Sequence, residues 1–220
     1  MDAVSHEKTI RCSPLQTPAR RFIKDLLDRG GAAVALFLFF PVFLIAAVLV
    51  KKDGGPAFYG HTRIGKGGQP FKCWKFRSMV MNGDEVLQDY LEQNPEARKE
   101  WETDFKLRND PRVTKIGEFL RKTSLDELPQ FWNVLRGEMS LVGPRPVVEA
   151  EKTYYGDVWE DYLSVKPGVT GLWQVSGRND TGYEQRVALD RQYIREWSLW
   201  KDIVIMFKTV YVVIARDGAY

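Results

Sequence analysis

Hydrophobic and polar positions divide the chain into three stretches of different character. Up to Arg21 the residues are polar and irregular, with Pro14 and Pro18, and they lack the charged, apolar, small-residue order of a cleaved signal peptide. Residues 1–20 are therefore expected to form a disordered tail. Residues 32–50 read AAVALFLFFPVFLIAAVLV without one charge, past the about 18 apolar residues at which a segment reads as a membrane helix. A chain of 220 residues can hardly surround such a helix on every side, as burial in a soluble core would require. Arg20, Arg21, Lys24 and Arg29 precede the run, and Lys51 and Lys52 follow it. Because basic flanks mark the cytoplasmic side, their symmetry favours a segment that enters and leaves by one face. Pro41, at the centre, removes one helical hydrogen bond and crowds the carbonyl four residues earlier. Residues 21–52 are thus expected to be a re-entrant helix-break-helix turning at Pro41, with a kinked true span as the alternative.

No such run recurs after Lys51, so residues 53–220 are expected to form one domain on the cytoplasmic face. Asp53-Gly54-Gly55-Pro56 signals a turn, and residues 71–79, FKCWKFRSM, alternate enough for a short strand with Lys75 and Arg77 on one face. Val86, Leu87, Tyr90 and Leu91 predict a polar helix over 84–106, interrupted near Pro95. Two short amphipathic helices follow at 113–120 and 125–135, the second with Leu128, Phe131, Trp132 and Leu135 as its apolar face. Residues 203–215 are apolar but short, broken by Lys208 and flanked by aromatic residues, which suits a core helix and an interfacial one equally. The expected fold class is α+β and mostly helical, a membrane-embedded monotopic domain with short strands.

Composition narrows this picture only a little. A hydrophobic content of 44% supports one ordinary core. A net charge of +3 is too mild for a bulk electrostatic case for nucleic acid, so charge has to be read site by site. Cys12 and Cys73 stand far apart without a metal-type spacing, which fits a reducing compartment and neither a zinc site nor a disulfide framework.

Three segments carry candidate chemistry. In TSLDELPQFWNV, Ser124 and Glu127 match a capping box. Pro129 suits Asp126 as the cap better, because it would then be the third helical residue, where its missing N–H does not matter. Either register places Asp126 and Glu127 at the positive end of a helix, where a carboxylate stays ionised and a phosphate finds free N–H groups. Simple capping explains the acidic pair taken alone. In Gly143-Pro144-Arg145-Pro146 two prolines stiffen the backbone around a guanidinium, a way of holding phosphate, although an ordinary loop arginine reads the same. The stretch 166–179, KPGVTGLWQVSGRN, combines glycines, cations and Trp173. Glycines permit close backbone approach to a ligand and an aromatic can stack on a base, while a plain turn with a buried tryptophan explains much of it.

Together, KFRSM at 75–79, SLDELPQFWNVLRGEMSLVGPRP at 124–146 and KPGVTGLWQVSGRN at 166–179 resemble the bacterial sugar transferases, the monotopic phosphoglycosyl transferases acting on polyprenyl phosphate. The resemblance runs from about Arg21 to the C-terminus. It implies a re-entrant membrane helix, magnesium dependence and an Asp-Glu dyad, placed here at Asp126 and Glu127, both also candidate metal contacts. It implies a two-step exchange in which Asp126 takes a phosphosugar from a UDP-sugar, UMP leaves, and undecaprenyl or another polyprenyl phosphate accepts the group. Glu127 would assist as base or metal ligand. Arg145 and Arg178 become candidates for phosphate or nucleotide binding, and Lys75 and Arg77 for the donor or the lipid head. The implied setting is the cytoplasmic face of a bacterial inner membrane, at the start of O-antigen, capsule or exopolysaccharide assembly. The ending ARDGAY tilts the sugar toward galactose or glucose. Larger relatives carry further membrane helices before this domain, so the short tail is expected to mark a compact member or a truncated one. A homodimer is compatible with the sequence. A nucleotide-sugar binding module and a phosphohydrolase are the rival readings.

Overall fold

The structure, a computed structural model, describes residues 13–104, 107, 109–176 and 182–215. The long apolar run belongs to helix α1, Pro18–Val50, which starts with proline in its first turn, where a missing N–H costs nothing. Ser13 and Leu15 are buried, and Ser13 Oγ donates to the Ile194 carbonyl at 2.8 Å. The expected tail therefore gives way to packed structure from residue 13, because Leu15 finds a place in the core; residues 1–12 lie outside the described residues. Helix α1 is continuous through Pro41, so the break expected there is an uninterrupted helix. In apolar surroundings the remaining backbone groups have no better partners than one another, which outweighs the single bond that proline removes.

The body beside α1 is mostly helical with two small sheets. Strands β1 (Phe58–Ile64) and β2 (Pro70–Phe76) form an antiparallel hairpin with Tyr59 opposite Lys75 and Arg63 opposite Phe71. Helices α2 (Gly83–Gln93) and α3 (Pro95–Asp104) meet the expected interruption at Pro95 and contain no buried residue in α2. Helix α4 (Lys115–Lys122) follows, with the Thr114 hydroxyl capping it by accepting from Gly117 N–H. Gly117 is obligatory for close packing, since a Cβ there would run into the Ser78 carbonyl. Next come α5 (Gln130–Arg136), β3 (Ser140–Val142), α6 (Lys152–Tyr155), α7 (Trp159–Leu163) and β4 (Gly168–Thr170), which pairs parallel to β3. Helices α8 (Tyr183–Arg195) and α9 (Leu199–Ala215) close the fold.

Both arms of α1 pack on this one body. In the first arm Lys24 reaches Asp202 of α9 at 2.7 Å, and Asp28 accepts from Ser140 Oγ at 2.7 Å. Ala32 packs with Phe71, Val134 and Met139. In the second, Ala46 and Val50 pack with Phe76, Leu120 and Leu128. Between the arms, residues 37–41 are exposed on every side, more than one full helical turn. Helix α9 buries Asp202 and Ile205 but turns Phe207 and Ile214 outward at 74% and 76% exposure. Only one face of it is core, so its outer apolar face has the character of an interfacial helix.

Candidate active site

The acidic pair is not in the first turn of an α-helix. Residues Leu125–Glu127 wind as a single 3-10 turn, and α5 begins only after Pro129, its N-cap. Ser124 makes no side-chain cap and takes a left-handed backbone, φ 55°, so both expected cap registers are corrected. The cause is Pro129: without an N–H it cannot close an α-helical bond to Leu125, and the chain tightens to i→i+3 bonds, Leu128 N to Leu125 O at 3.2 Å.

This turn brings Asp126 and Glu127 against β2. Lys75 Nζ lies 2.6 Å from Glu127 Oε1 and 3.5 Å from Asp126 Oδ2. Buried Asn133 fixes that approach, donating to the Lys72 carbonyl at 2.7 Å and accepting from Trp74 N–H at 3.0 Å, which clamps α5 to the strand carrying Lys75. Burial pushes the Asp126 carboxyl up to about 6; Lys75 pulls it down, Glu127 pushes it up, and Arg121 pulls it down. Lys75 is pressed downward by burial, but the two carboxylates override this and hold its ammonium above the usual range. Asp126 Oδ1 takes no hydrogen bond from any described residue, which leaves an ionisable oxygen open to a ligand.

Arg77 is not brought to the dyad. Strand β2 ends at Phe76, and Arg77 turns to the end of α1, donating to the Val50 carbonyl at 2.9 Å, to Pro56 O at 2.8 Å and to Asp53 Oδ2 at 2.6 Å. Its fork satisfies carbonyls that the helix end leaves over. Arg178 lies outside the described residues.

Arg145 belongs to a second cationic group. Its guanidinium stands 5.7 Å from the Trp173 ring, and that of Arg186 stands 5.0 Å from the same ring. Arg63 joins from β1: its own pKa and that of Arg186 are driven down first by burial and next by the charge of Arg145. Beneath Arg145, buried Asp190 accepts from its backbone N–H at 3.4 Å and from Tyr155 OH at 2.8 Å. Burial drives the Asp190 carboxyl up to about 7. Trp173 Nε1 and Asp190 Oδ1 are buried without a hydrogen bond to any described residue. Arg145 and Arg186 thus share the face of one indole, while Arg63, beside Arg145, is paired with Glu151 at 3.4 Å.

Of the glycines in the 166–179 stretch, Gly168 and Gly171 serve packing, and Gly177 lies outside the described residues. Gly168 and Gly171 lie against the backbone of Gly143, where a Cβ on either would collide. Gly143 N–H donates to Thr170 O at 2.9 Å and Gly168 N–H to Pro144 O at 2.8 Å, so the two loops are stitched together and Arg145 is held beside Trp173. Sequence reasoning missed Arg63, Arg121, Asn133, Arg186 and Asp190. Asn133 alone left a trace, a polar residue within the apolar stripe of α5.

Residues 19–216 match the family model described as bacterial sugar transferase. The chain is 57% identical to the UDP-galactose-lipid carrier transferase of Erwinia amylovora, over 98% of this chain and 46% of that one. It is 56% identical to the undecaprenyl-phosphate galactose phosphotransferase of Salmonella typhimurium, over 91% and 42%. With the exopolysaccharide production protein ExoY of Rhizobium meliloti it shares 54% identity over 94% of both chains. The chain thus spans less than half the length of the first two relatives and nearly all of the third. By the extent of the match and by these identities, the chain belongs to the bacterial sugar transferase family.

Proposed function

We propose that this protein transfers a hexose 1-phosphate, galactose or glucose, from a UDP-sugar to undecaprenyl phosphate, releasing UMP. The observation that carries this reading is the open Asp126 oxygen beside the Lys75–Glu127 pair; galactose and undecaprenyl phosphate stand in the names of the Erwinia and Salmonella relatives, and glucose rests on the resemblance of the chain's ending. An Asp126 oxygen attacks the phosphorus that bears the sugar. The bond from that phosphorus to the bridging oxygen breaks, and the electron pair leaves with UMP. The lipid phosphate then attacks the same phosphorus and the aspartate departs as carboxylate, restoring the enzyme. Lys75 keeps Asp126 ionised in its buried setting, Glu127 accepts the charge-assisted bond that orients Lys75, and Arg121 lends a second positive charge. Arg145 and Arg186 at the Trp173 ring, with Arg63 beside Arg145, take the nucleotide end of the donor.

Two adjacent carboxylates suit magnesium, which takes one or two carboxylates and completes its shell with water and substrate phosphates; no group of three or more ligating residues exists among the described residues. Asp126 and Glu127 would hold the ion, which would supply neutralisation of the diphosphate charge.

The same reading places the protein on the cytoplasmic face of the inner membrane, with α1 bending at Pro41 without a break in the helix so that both its ends stay on one face. Support comes from the two arms of α1 packing on one body while residues 37–41 stand clear of it. In sealed inverted vesicles, single cysteines at Arg20 and Lys52 should both react with an impermeant maleimide added outside. Labelling of one and protection of the other would mean a true span.

The activity is tested by UMP release from a panel of UDP-sugars with magnesium and undecaprenyl phosphate. Lipid-dependent release with one sugar is expected. Free sugar phosphate without a lipid product would make the protein a hydrolase, and no release from any sugar would leave a binding module.

A further inference from the structure

At the opposite end of the β1–β2 hairpin from Lys75, four cations from three chain segments converge on one carboxylate. Arg21, Asp25 and Arg29 share a stripe of α1 at i, i+4 and i+8. Lys166, from the stretch before β4, reaches Asp25 at 2.8 Å. Lys66 comes from the hairpin turn, and with Arg21, Asp25, Ser164 and Lys166 it lines a cavity of about 30 Å³. Arg29 closes the group: a Cβ on Gly137 would lie 2.7 Å from its Nη2 and 3.8 Å from Lys166 Nζ.

Among the described residues, the one ion pair that these four cations make is Lys166 with Asp25. Asp28 and Lys24, which also border the cavity, are committed to Ser140 and Asp202. Asp25 pairs with Lys166, with Lys66 and Arg21 on the same cavity wall and Arg29 on the far side of Lys166. Lys66 makes no ion pair or side-chain hydrogen bond with any described residue, and its ammonium is weakened first by burial and then by repulsion from Arg21 and Lys166. An excess of cations held together by the fold is an unfilled anion site.

Its position selects the anion. The opposite side of the same α1 arm exposes Ile23 at 44% and Leu27 at 55%, and the uncharged run begins at Ala32, three residues past Arg29. Apolar side chains on one face and basic ones on the other, just before a membrane-entering run, is the arrangement found at the headgroup level. Pro70 and Lys75 are five strand positions apart, about 16 Å, so this group is separate from the dyad.

We propose that Arg21, Arg29, Lys66 and Lys166 bind the phosphate of an anionic glycerophospholipid, a site distinct from the one that handles donor and acceptor. The proposal rests on the reading of α1 as membrane-embedded but not on the transfer reaction, so an inactive protein would leave it intact.

The test uses the full chain in neutral detergent, with the melting midpoint followed against dihexanoyl phosphatidylglycerol, dihexanoyl phosphatidylcholine and inorganic phosphate. The phosphatidylglycerol should raise the midpoint saturably and the phosphatidylcholine should not. Lys66→Gln, at a half-buried position, and Arg29→Gln, at an exposed one, should each raise the half-saturating concentration about fivefold, while Asp126→Asn should respond as the native chain does. The proposal is overturned by an equal response to the two lipids, by native-like binding in both charge variants, by inorganic phosphate reproducing the whole shift at equal concentration, or by loss of the response in Asp126→Asn.

Discussion

Asp126→Asn is expected to abolish transfer and, in the same protein, to stabilise the fold. Removing a covalent nucleophile should lower turnover by at least about 10³-fold. The stability gain follows from linkage. Burial raises the Asp126 carboxyl from 3.8 to about 6, so the native state holds its proton where the unfolded chain has released it. Native stability then falls as pH rises from about 4 to 6, and above 6 the full cost of an ionised, buried carboxylate is present. Asparagine does not titrate and escapes that cost. In metal-free buffer the variant should therefore gain on the native chain across that window, to a ceiling of about 3 kcal/mol at pH 8, and the advantage should vanish near pH 4. Denaturant melts of both proteins at pH 4 and 8 check this. A variant equal to the native chain at both values would show that Asp126 is not strained by its site, and full activity would remove it as nucleophile.

Lys75→Met should leave the two carboxylates side by side with only Arg121 nearby. Lys75 is the strongest influence lowering the Asp126 carboxyl, and Glu127 pushes it the other way. Without the ammonium the carboxyl should rise further above 6, so a smaller fraction is ionised at pH 7. Transfer at pH 7 should fall on the order of 10²-fold and partly recover as pH rises, with the acid limb of the rate profile displaced upward by at least about one unit. Lys75→Arg, which keeps the charge, should restore the position of the limb better than the rate, since a guanidinium does not reproduce the 2.6 Å contact to Glu127. An acid limb identical to the native one in Lys75→Met would mean that Lys75 holds substrate and does not govern the nucleophile.

The two variants bear on how much of the site could be seen in the chain itself. The motif around Asp126 and Glu127 marks the chemistry, because two carboxylates beside a proline-terminated helix are visible as residues. Their setting was misjudged. Asparagine, aspartate and serine are read from sequence as caps, yet the missing N–H of Pro129 converts the whole turn to a 3-10 geometry before any cap can act. Arg77 illustrates the opposite error. A strand that ends at Phe76, three residues before the end its alternation suggested, sends the guanidinium to the carbonyl end of α1. The glycines near Trp173 looked like space for a ligand and are space for another backbone.

What the sequence determined by itself was whatever depends on neighbours along the chain. The uncharged run of α1, the helix interruption at Pro95 and the acidic pair all follow from local pattern, burial preference and backbone chemistry. Only the tertiary structure decided the rest. Lys75 meets Glu127 across 52 positions, Asn133 reaches Lys72 across 61, and Lys24 meets Asp202 across 178. Arg63, Arg145 and Arg186 become one cationic group only when the hairpin, the Gly143–Arg145 loop and α8 are packed together. Such contacts are set by the closure of long loops against a common core, and no local periodicity encodes which distant partners that closure brings within reach.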